Sequence, residues 1–150
     1  MRGETHTVYL GLGSNIGDRE TYINRAIQLI DERVGPVLRR SSLIETEPWG
    51  FESDNKFLNG VICCETQFTP RRLLKMTQQI ERDLGKNKMH ATRRYNTARC
   101  PAYKDRPIDI DILLYDNLTV DEPDLKIPHP LMHVRDFVMI PLKEITITNN

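Results

Sequence analysis

Apolar segments of strand length alternate along this chain with segments whose apolar residues recur at helical spacing. Four apolar segments predict β-strands: Thr7–Leu12, Val37–Ile44, Phe57–Thr66 and Ile108–Tyr115. The last of them carries apolar residues on both of its faces, which predicts a central position in the sheet.

Two helices are predicted between these strands. The first begins after Asp18, a good N-cap, and runs to about Val34. The second begins at Thr69-Pro70, which suit the N-cap and the first helical position, and ends at Gly85. The residues expected on their buried faces are Ile23, Ala26, Ile27, Ile30 and Val34 in the first helix and Leu73, Ile80 and Leu84 in the second.

The resulting order, βαββαβ, predicts an α+β fold with a ferredoxin-like core, in which helices pack on an antiparallel sheet. The expected connections are the glycine-rich segment Gly13–Gly17, the polar segment Glu45–Lys56 and a long loop over residues 86–106. A chain of 150 residues buries about 70% of its unfolded surface, so a single domain over residues 1–150 is expected.

Cysteine usage and hydropathy narrow the class of protein. The three cysteines are an odd number without CxxC spacing, which predicts reduced thiols in a cytoplasmic protein rather than a disulfide framework. No segment has the length of a membrane span, and the N-terminus lacks the apolar h-region of a signal peptide, so neither a membrane contact nor a secretory leader is expected.

Charge is balanced in total but unevenly distributed. The 21 lysines and arginines equal the 21 acids, yet residues 86–106 contain seven basic residues and one acid, Asp105. Residues 107–124 contain six acids and no base. A local excess of cations suits a bound polyanion and is a better guide to a binding site than the net charge.

Two carboxylates directly follow the basic segment. Asp109 and Asp111 alternate with isoleucines, and the period of two in a strand places both acids on one face. Carboxylate oxygens suit Mg²⁺, which is held by one or two carboxylates together with substrate phosphates. The pair and the basic segment together favour phosphoryl or pyrophosphoryl transfer from a magnesium nucleotide. The alternative is an acidic strand face in water beside a solvated basic loop.

Two other motifs have simpler explanations. Gly11, Gly13 and Gly17 follow a strand, but their spacing is one residue too long for a dinucleotide fingerprint, so a glycine turn is favoured. His129 and His133 are four residues apart, as in some zinc sites, yet the prolines beside His129 argue against a shared helical face.

An aromatic ring and a carboxamide share a strand face at Phe57 and Asn59. Such a pair can stack on and hydrogen-bond a heterocycle, whereas the alternative is a core phenylalanine beside a strand-edge asparagine. Pro128-His129-Pro130 restrains a histidine in a loop, which suits a phosphate or ribose contact.

Several motifs resemble one enzyme family in order and spacing. They are Tyr9-x-Gly11-x-Gly13-Ser14-Asn15-x-Gly17-Asp18-Arg19, Thr46-x-Pro48-Trp49-Gly50, Phe57-x-Asn59, Gln78-x-x-Glu81-x-x-Leu84-Gly85, Arg106-x-Ile108-Asp109-Ile110-Asp111-Ile112 and Ile127-Pro128-His129-Pro130 with Met132, Arg135, Phe137, Pro141 and Leu142. From about residue 7 to residue 145 the chain is similar to the 6-hydroxymethyl-7,8-dihydropterin pyrophosphokinase family of folate biosynthesis. The resemblance implies a ferredoxin-like core and an ATP-dependent diphosphokinase. Such an enzyme moves the β,γ-pyrophosphate of ATP to the pterin hydroxymethyl oxygen and releases AMP.

The resemblance also implies roles for individual residues. Asp109 and Asp111 would hold two Mg²⁺ ions with ATP, and Arg106 would contact phosphate and pterin, so these three are the implied catalytic residues. The implied ATP site consists of Gln78, Glu81, Lys86, Lys88, Tyr103, Arg106, Ile112, Lys126, His129 and Arg135. The implied pterin site consists of Phe57 and Phe137 around the ring, Asn59 at its edge, and Thr46, Glu47, Pro48 and Trp49 as backbone contacts.

The chain departs from the family pattern just before the carboxylate pair. Tyr103-Lys104-Asp105-Arg106 stands where the family usually has Arg-Trp-Gly-Pro-Arg, so Tyr103 takes the place of the tryptophan. Lys86 stands where an arginine is common, which keeps the charge but loses the bidentate fork.

The implied partners are ATP and a hydroxymethyl dihydropterin, with no nucleic acid and no membrane, in a monomer or weak homodimer. Two other classes stay open. One is an RNA-binding module, since ferredoxin-like sheets serve that role, although the carboxylate pair would repel phosphate. The other is an inactive relative used as an interaction domain, against which the retained Asp109 and Asp111 argue.

Overall fold

The structure is a computed structural model that describes residues 4–47, 56–85 and 107–147. Within these residues the chain forms a five-stranded sheet with helices on both faces. The elements in chain order are β1 (His6–Ser14), α1 (Arg19–Arg33), β2 (Val37–Arg40), β3 (Ile44–Thr46), β4 (Phe57–Thr66), α2 (Pro70–Asp83), β5 (Asp109–Tyr115), β6 (Val120–Glu122), β7 (Leu125–Ile127) and α3 (Asp136–Ile147). A 3₁₀ turn at Met132–Val134 leads into α3.

The main sheet is antiparallel, with the strand order β2-β4-β1-β5, and β3 also pairs with β4. This is the ferredoxin-like α+β arrangement, so the predicted fold class is confirmed. Strands β6 and β7 form a separate hairpin.

Helices α1 and α2 begin where their caps predict. Asp18 accepts a hydrogen bond from the Thr21 backbone N–H, and Thr69 accepts one from the Arg72 backbone N–H, both at 3.2 Å. Their apolar stripes pack on one face of the sheet, against residues of β1 and β5 that include Leu10, Ile110 and Ile112. The residues buried in this layer include the predicted Ile23, Ala26, Ile27, Ile30, Val34, Leu73, Ile80 and Leu84.

The opposite face of the sheet packs against α3, a helix that the sequence analysis did not predict. Val138 and Leu142 of α3 form a second core cluster with Val61 of β4 and Leu113 of β5. Pro141 lies inside α3, where a proline normally argues against a helix. Packing against the sheet therefore stabilises this helix, and its local sequence pattern does not predict it.

The segment Val37–Ile44, for which one strand is predicted, forms two strands. Ser42 leaves the ladder because its backbone N–H donates to the Glu144 carboxylate of α3 at 3.1 Å. The chain rejoins β4 at β3, which includes Glu45 and Thr46 from the predicted loop.

The predicted central position of β5 is wrong for the described part of the chain. There, β5 pairs with β1 and lies at the edge of the sheet. It is apolar on both faces because Ile110 packs beneath α1 and α2 while Leu113 packs beneath α3. Two helical layers, and not two neighbouring strands, therefore explain the pattern.

The predicted long loop over residues 86–106 lies outside the described residues. Among the helices of the described residues, none combines the length and the hydropathy that a membrane span requires.

Candidate active site

The register of the sheet places the two predicted metal ligands beside glycines. Asp109 lies opposite Gly13 and Asp111 lies opposite Gly11 of β1. Both acids are half-buried and alternate with buried isoleucines, as the period of two predicts. Neither glycine has a side chain, and neighbouring side chains lie close beside both: a Cβ atom placed on Gly11 would lie 3.5 Å from the Leu113 side chain.

The same row of the sheet continues from Gly13 to Asn59 of β4. A Cβ atom placed on Gly13 would lie 2.8 Å from Asn59 Oδ1 and 3.6 Å from the Phe57 ring. A side chain at position 13 would therefore displace the Asn59 carboxamide. Asn59 Nδ2 in turn donates to Thr46 Oγ1 at 2.8 Å, so Thr46, Phe57 and Asn59 form one cluster at this end of the face.

His129 is held against the outer side of β5. Its backbone N–H donates to the Leu113 carbonyl at 3.0 Å, and its Nδ1 atom accepts the Leu131 backbone N–H at 3.3 Å. With Nδ1 as acceptor, the neutral ring carries its proton on Nε2 and can donate from there.

The surroundings of His129 favour the neutral ring. Burial lowers the pKa of His129 below 6.5, the charge of Arg135 lowers it further, and Asp109 acts in the opposite direction. These three side chains thus share one electrostatic environment.

Arg135 and Phe137 form a pair at the start of α3. The Arg135 Cζ atom lies 5.6 Å from the centroid of the Phe137 ring, within cation–π range. Arg135 is only 8% exposed, so the surrounding fold restrains its side chain. The structure therefore joins a residue of the implied ATP site to one of the implied pterin site.

Glu81 is buried in α2, and its Oε2 atom accepts the Ile110 backbone N–H at 2.7 Å. Ile110 lies between Asp109 and Asp111 in β5. Glu81 is thus in contact with the strand that carries the carboxylate pair.

Other implied site residues lie apart from these clusters. The Ile112 side chain is buried in the core beneath α1 and α2, so only its main chain can face a ligand. Lys126 is exposed on β7, where its Nζ atom lies 2.6 Å from Asp121 Oδ1. Gln78 is exposed on α2, and Glu47 is exposed with its Oε2 atom 3.5 Å from Lys56 Nζ. The implied residues Pro48, Trp49, Lys86, Lys88, Tyr103 and Arg106 lie outside the described residues.

Arg19 is a contact residue near the site that sequence reasoning missed. Its Nη1 atom donates to the Lys56 carbonyl at 2.8 Å, and its Nη2 atom lies 2.7 Å from Glu45 Oε2. Arg19 therefore connects the start of α1 to Glu45, the residue before Thr46, and to Lys56, the residue before Phe57. The sequence signal for this role was the position of Arg19 at the end of the glycine-rich motif.

The donor set fits magnesium better than zinc. Among the described residues, no group of three or more His, Cys, Asp and Glu side chains is arranged to hold a metal. Two carboxylates suffice for Mg²⁺ because substrate phosphates and water supply its other ligands, whereas zinc prefers a closed set of nitrogen and sulfur ligands. Since His129 Nδ1 already accepts the Leu131 N–H, the zinc interpretation of His129 and His133 is not supported.

An α+β sheet that presents paired carboxylates near a histidine and a buried arginine fits one class of protein, the phosphoryl-transfer enzymes. The model of the family described as 7,8-dihydro-6-hydroxymethylpterin-pyrophosphokinase (HPPK) matches residues 9–147. The chain is 46% identical over 139 residues to the 2-amino-4-hydroxy-6-hydroxymethyldihydropteridine pyrophosphokinase of Porphyromonas gingivalis, a match covering 92% of this chain and 89% of the relative. The Bacillus subtilis enzyme of the same name is 41% identical over 138 residues, covering 91% of this chain and 76% of the relative. The chain belongs to the HPPK family.

A solved structure shows the same fold at lower sequence identity. The wild-type HPPK-DHPS protein of Plasmodium falciparum, solved with pteroate, superimposes with a TM-score of 0.71 at 14% identity. The match covers 95% of this chain, which spans 41% of that longer chain. Family membership also decides against the RNA-binding module that the sequence pattern left open.

Proposed function

We propose that this chain transfers pyrophosphate from ATP to the hydroxymethyl group of 6-hydroxymethyl-7,8-dihydropterin and releases AMP, as a step of folate biosynthesis. The observation that carries the proposal is the row on one sheet face that runs from Asp109 across Gly13 to Asn59. Asp111, in the next row of the same face, adds the second carboxylate, so two ligands for a cation lie beside a cluster suited to a flat heterocycle. The family match over residues 9–147 agrees with that arrangement.

The pterin end of the site is the cluster of Thr46, Phe57 and Asn59, with Phe137 from α3. A pterin is flat and rich in hydrogen-bonding groups, so it gains from an aromatic face and from a carboxamide fixed in one orientation. The Thr46 hydroxyl fixes the Asn59 carboxamide. Glu47, Pro48 and Trp49 are proposed to add backbone contacts.

The ATP end of the site is the outer edge of β5. Ile110 directs its N–H away from β1, and the alternation of antiparallel pairing directs the main-chain groups of Ile112 to the same edge. Those groups can bond an adenine edge, while His129 Nε2 and the Arg135 guanidinium can donate to phosphate or ribose. We assign Gln78, Glu81, Lys86, Lys88, Tyr103, Arg106 and Lys126 to this end from the family motifs.

Asp109 and Asp111 lie between the two ends and are proposed to hold two Mg²⁺ ions together with ATP. The bound ions supply charge neutralisation on the phosphates during transfer. The contribution of the protein is positioning, because the sheet holds both carboxylates on one face. Arg106 is proposed to donate to the phosphates in the same step.

The remaining parts of the proposal concern the molecule as a whole. Residues 1–150 act as one pyrophosphokinase domain, as a monomer or weak homodimer, in the reducing environment of the cytoplasm. ATP and the hydroxymethyl dihydropterin are its partners, without nucleic acid or membrane.

The direct test measures nucleotide products by chromatography after incubation with Mg-ATP, with and without 6-hydroxymethyl-7,8-dihydropterin. We expect AMP and the pterin diphosphate to form in equal amounts, and only when the pterin is present. ADP as the product, or AMP formed equally without pterin, contradicts the proposed reaction. No turnover in a folded protein that binds both substrates would instead identify an inactive relative.

A further inference from the structure

Glu81 is an acid on the buried side of a helix. It is 7% exposed and lies in α2 next to Ile80, which is fully buried in the core. A buried carboxyl group is costly unless its oxygens accept hydrogen bonds. One of those bonds is the contact of 2.7 Å from the Ile110 N–H to Glu81 Oε2, which is short for an N–H···O bond.

The Ile110 N–H is the kind of donor that an edge strand leaves exposed. In an antiparallel pair, successive residues direct their polar groups alternately toward the partner strand and away from it. Ile110 pairs with Leu12 of β1 and directs its N–H to the other side, where Glu81 accepts it. The Glu81 carboxyl group thus accepts the backbone hydrogen bond that the carbonyl of a further strand would otherwise accept.

The position of Ile110 makes this bond relevant to the site. Ile110 is the single residue between Asp109 and Asp111, and each neighbouring Cα atom lies about 3.8 Å from its own. Its side chain is buried beneath α1 and α2. Because the side chain and the N–H of Ile110 are both held, the Asp109 and Asp111 side chains project from the strand in fixed directions.

We propose that Glu81 is a positioning residue, which sets the geometry of the Asp109–Asp111 pair through the backbone of β5. The inference rests on the proposed function and deepens it, because the family resemblance places Glu81 only among the ATP-site residues. The bond needs an acceptor at Oε2 and does not need a negative charge. Glutamine keeps the acceptor and the length of the side chain, whereas leucine keeps the volume and loses the acceptor.

The experiment compares Glu81→Gln and Glu81→Leu in the full chain, with Asp83→Asn as the matched control on the exposed part of α2. Amide hydrogen exchange by NMR reports the Ile110 N–H directly, with no substrate present. Electron paramagnetic resonance measures Mn²⁺ binding in the presence of a non-hydrolysable ATP analogue, and steady-state kinetics separate kcat from KM.

We expect Glu81→Leu to speed exchange of the Ile110 amide about tenfold or more, as loss of a buried hydrogen bond predicts. Mn²⁺ affinity and kcat should fall by a similar factor. Asp83→Asn should stay within about threefold of the unmodified protein in all three measurements, and Glu81→Gln should keep Ile110 exchange within about threefold of it. If Glu81→Leu does not fold, Glu81→Ala, which also lacks the acceptor, takes its place in all three measurements.

Two results would overturn the inference. One is a large loss of kcat or ATP affinity in Glu81→Gln while Ile110 exchange is unchanged, because the charge would then act on the ligand itself. The other is unchanged Ile110 exchange in a folded Glu81→Leu. Since the exchange measurement involves no substrate, it can fail while pyrophosphoryl transfer is demonstrated, and it can succeed if the transfer assay fails.

Discussion

Asn59 Nδ2 donates a hydrogen bond of 2.8 Å to the Thr46 hydroxyl, from β4 to β3. The bond uses one hydrogen of the carboxamide and turns Oδ1 toward Gly13, on the face where a pterin is proposed to bind. The threonine hydroxyl therefore decides which side of the carboxamide a ligand meets.

Removing the Asn59 carboxamide should weaken pterin binding. Asn59→Ala leaves ring donors and acceptors unpaired in a desolvated slot, at a cost of about 1–3 kcal/mol. Thr46→Val keeps the shape and frees the carboxamide to turn, so it should reduce discrimination among pterins more than affinity. Calorimetry of pterin binding beside an ATP-analogue titration measures both. Thr77→Val, which removes a buried hydroxyl in α2, is the control, and an equal loss of pterin binding there would contradict the assignment.

Removing either carboxylate of the pair should strongly slow pyrophosphoryl transfer while the fold is kept. Asp109→Asn and Asp111→Asn should each lower kcat by about 10²–10³, the usual effect of losing one electrostatic stabiliser. Steady-state AMP release at saturating Mg²⁺ measures the effect, and circular dichroism checks the fold. Asp116→Asn, at the far end of β5, should leave kcat unchanged. Asp116 has a φ of 49°, a conformation that asparagine adopts readily. Turnover near the unmodified rate in both site variants would refute the metal assignment.

Replacing the proposed clamp rings should weaken pterin binding and leave ATP binding intact. Phe57→Leu and Phe137→Leu retain apolar volume and lose ring stacking, which predicts a loss of about 0.5–1.5 kcal/mol each. Phe68→Leu is the matched control, because Phe68 also lies beside an arginine, with Arg72 Cζ 5.1 Å from its centroid. Calorimetry with pterin and with an ATP analogue separates the two ligands. If the site variants lose ATP binding instead, the rings do not form the pterin clamp.

His129 should titrate below its usual pKa in the substrate-free protein. Burial and the Arg135 charge lower the pKa of His129, against the opposing effect of Asp109. The unfolded chain then binds a proton at a pH where the folded protein does not. The free energy of unfolding therefore falls as pH decreases through the window below about 6.5.

NMR titration of the imidazole nitrogens tests this directly, with His129→Gln used to assign the resonance. We expect a pKa below 6.5 and a neutral form protonated on Nε2, as the Leu131 N–H bond to Nδ1 requires. The pH dependence of unfolding should be weaker in His129→Gln. A raised pKa, or a neutral form protonated on Nδ1, would contradict the structure.

Arg19 should support pterin binding through the strands it contacts. Arg19→Ala removes the links from α1 to Glu45 and to the Lys56 carbonyl. Because the Arg19 side chain is 30% exposed and Glu45 is 49% exposed, a modest loss of about threefold to tenfold in pterin affinity is expected. Arg40→Ala, which removes a bond of 2.7 Å from β2 to Asn24 of α1, is the control. If both variants change pterin affinity equally, the effect is general stability and not the site.

The sequence by itself determined those features that depend on local pattern. Asp18 and Thr69 marked the starts of α1 and α2 because caps act within one helical turn. The alternation around Asp109 and Asp111 determined that both acids share a face, since the period of a strand is local. The motifs that carry the family resemblance are local in the same sense.

The tertiary structure decided which of these pieces meet. The apolar faces of β5 indicated a central strand, yet α3 covers one face and β5 lies at the described edge of the sheet. The bond from Ile110 to Glu81 joins residues 29 positions apart. The position of the Asn59 carboxamide depends on Gly13, because any side chain at position 13 would displace it. Such contacts arise from packing between distant segments, and a pattern read along one segment contains no information about which other segment will pack against it.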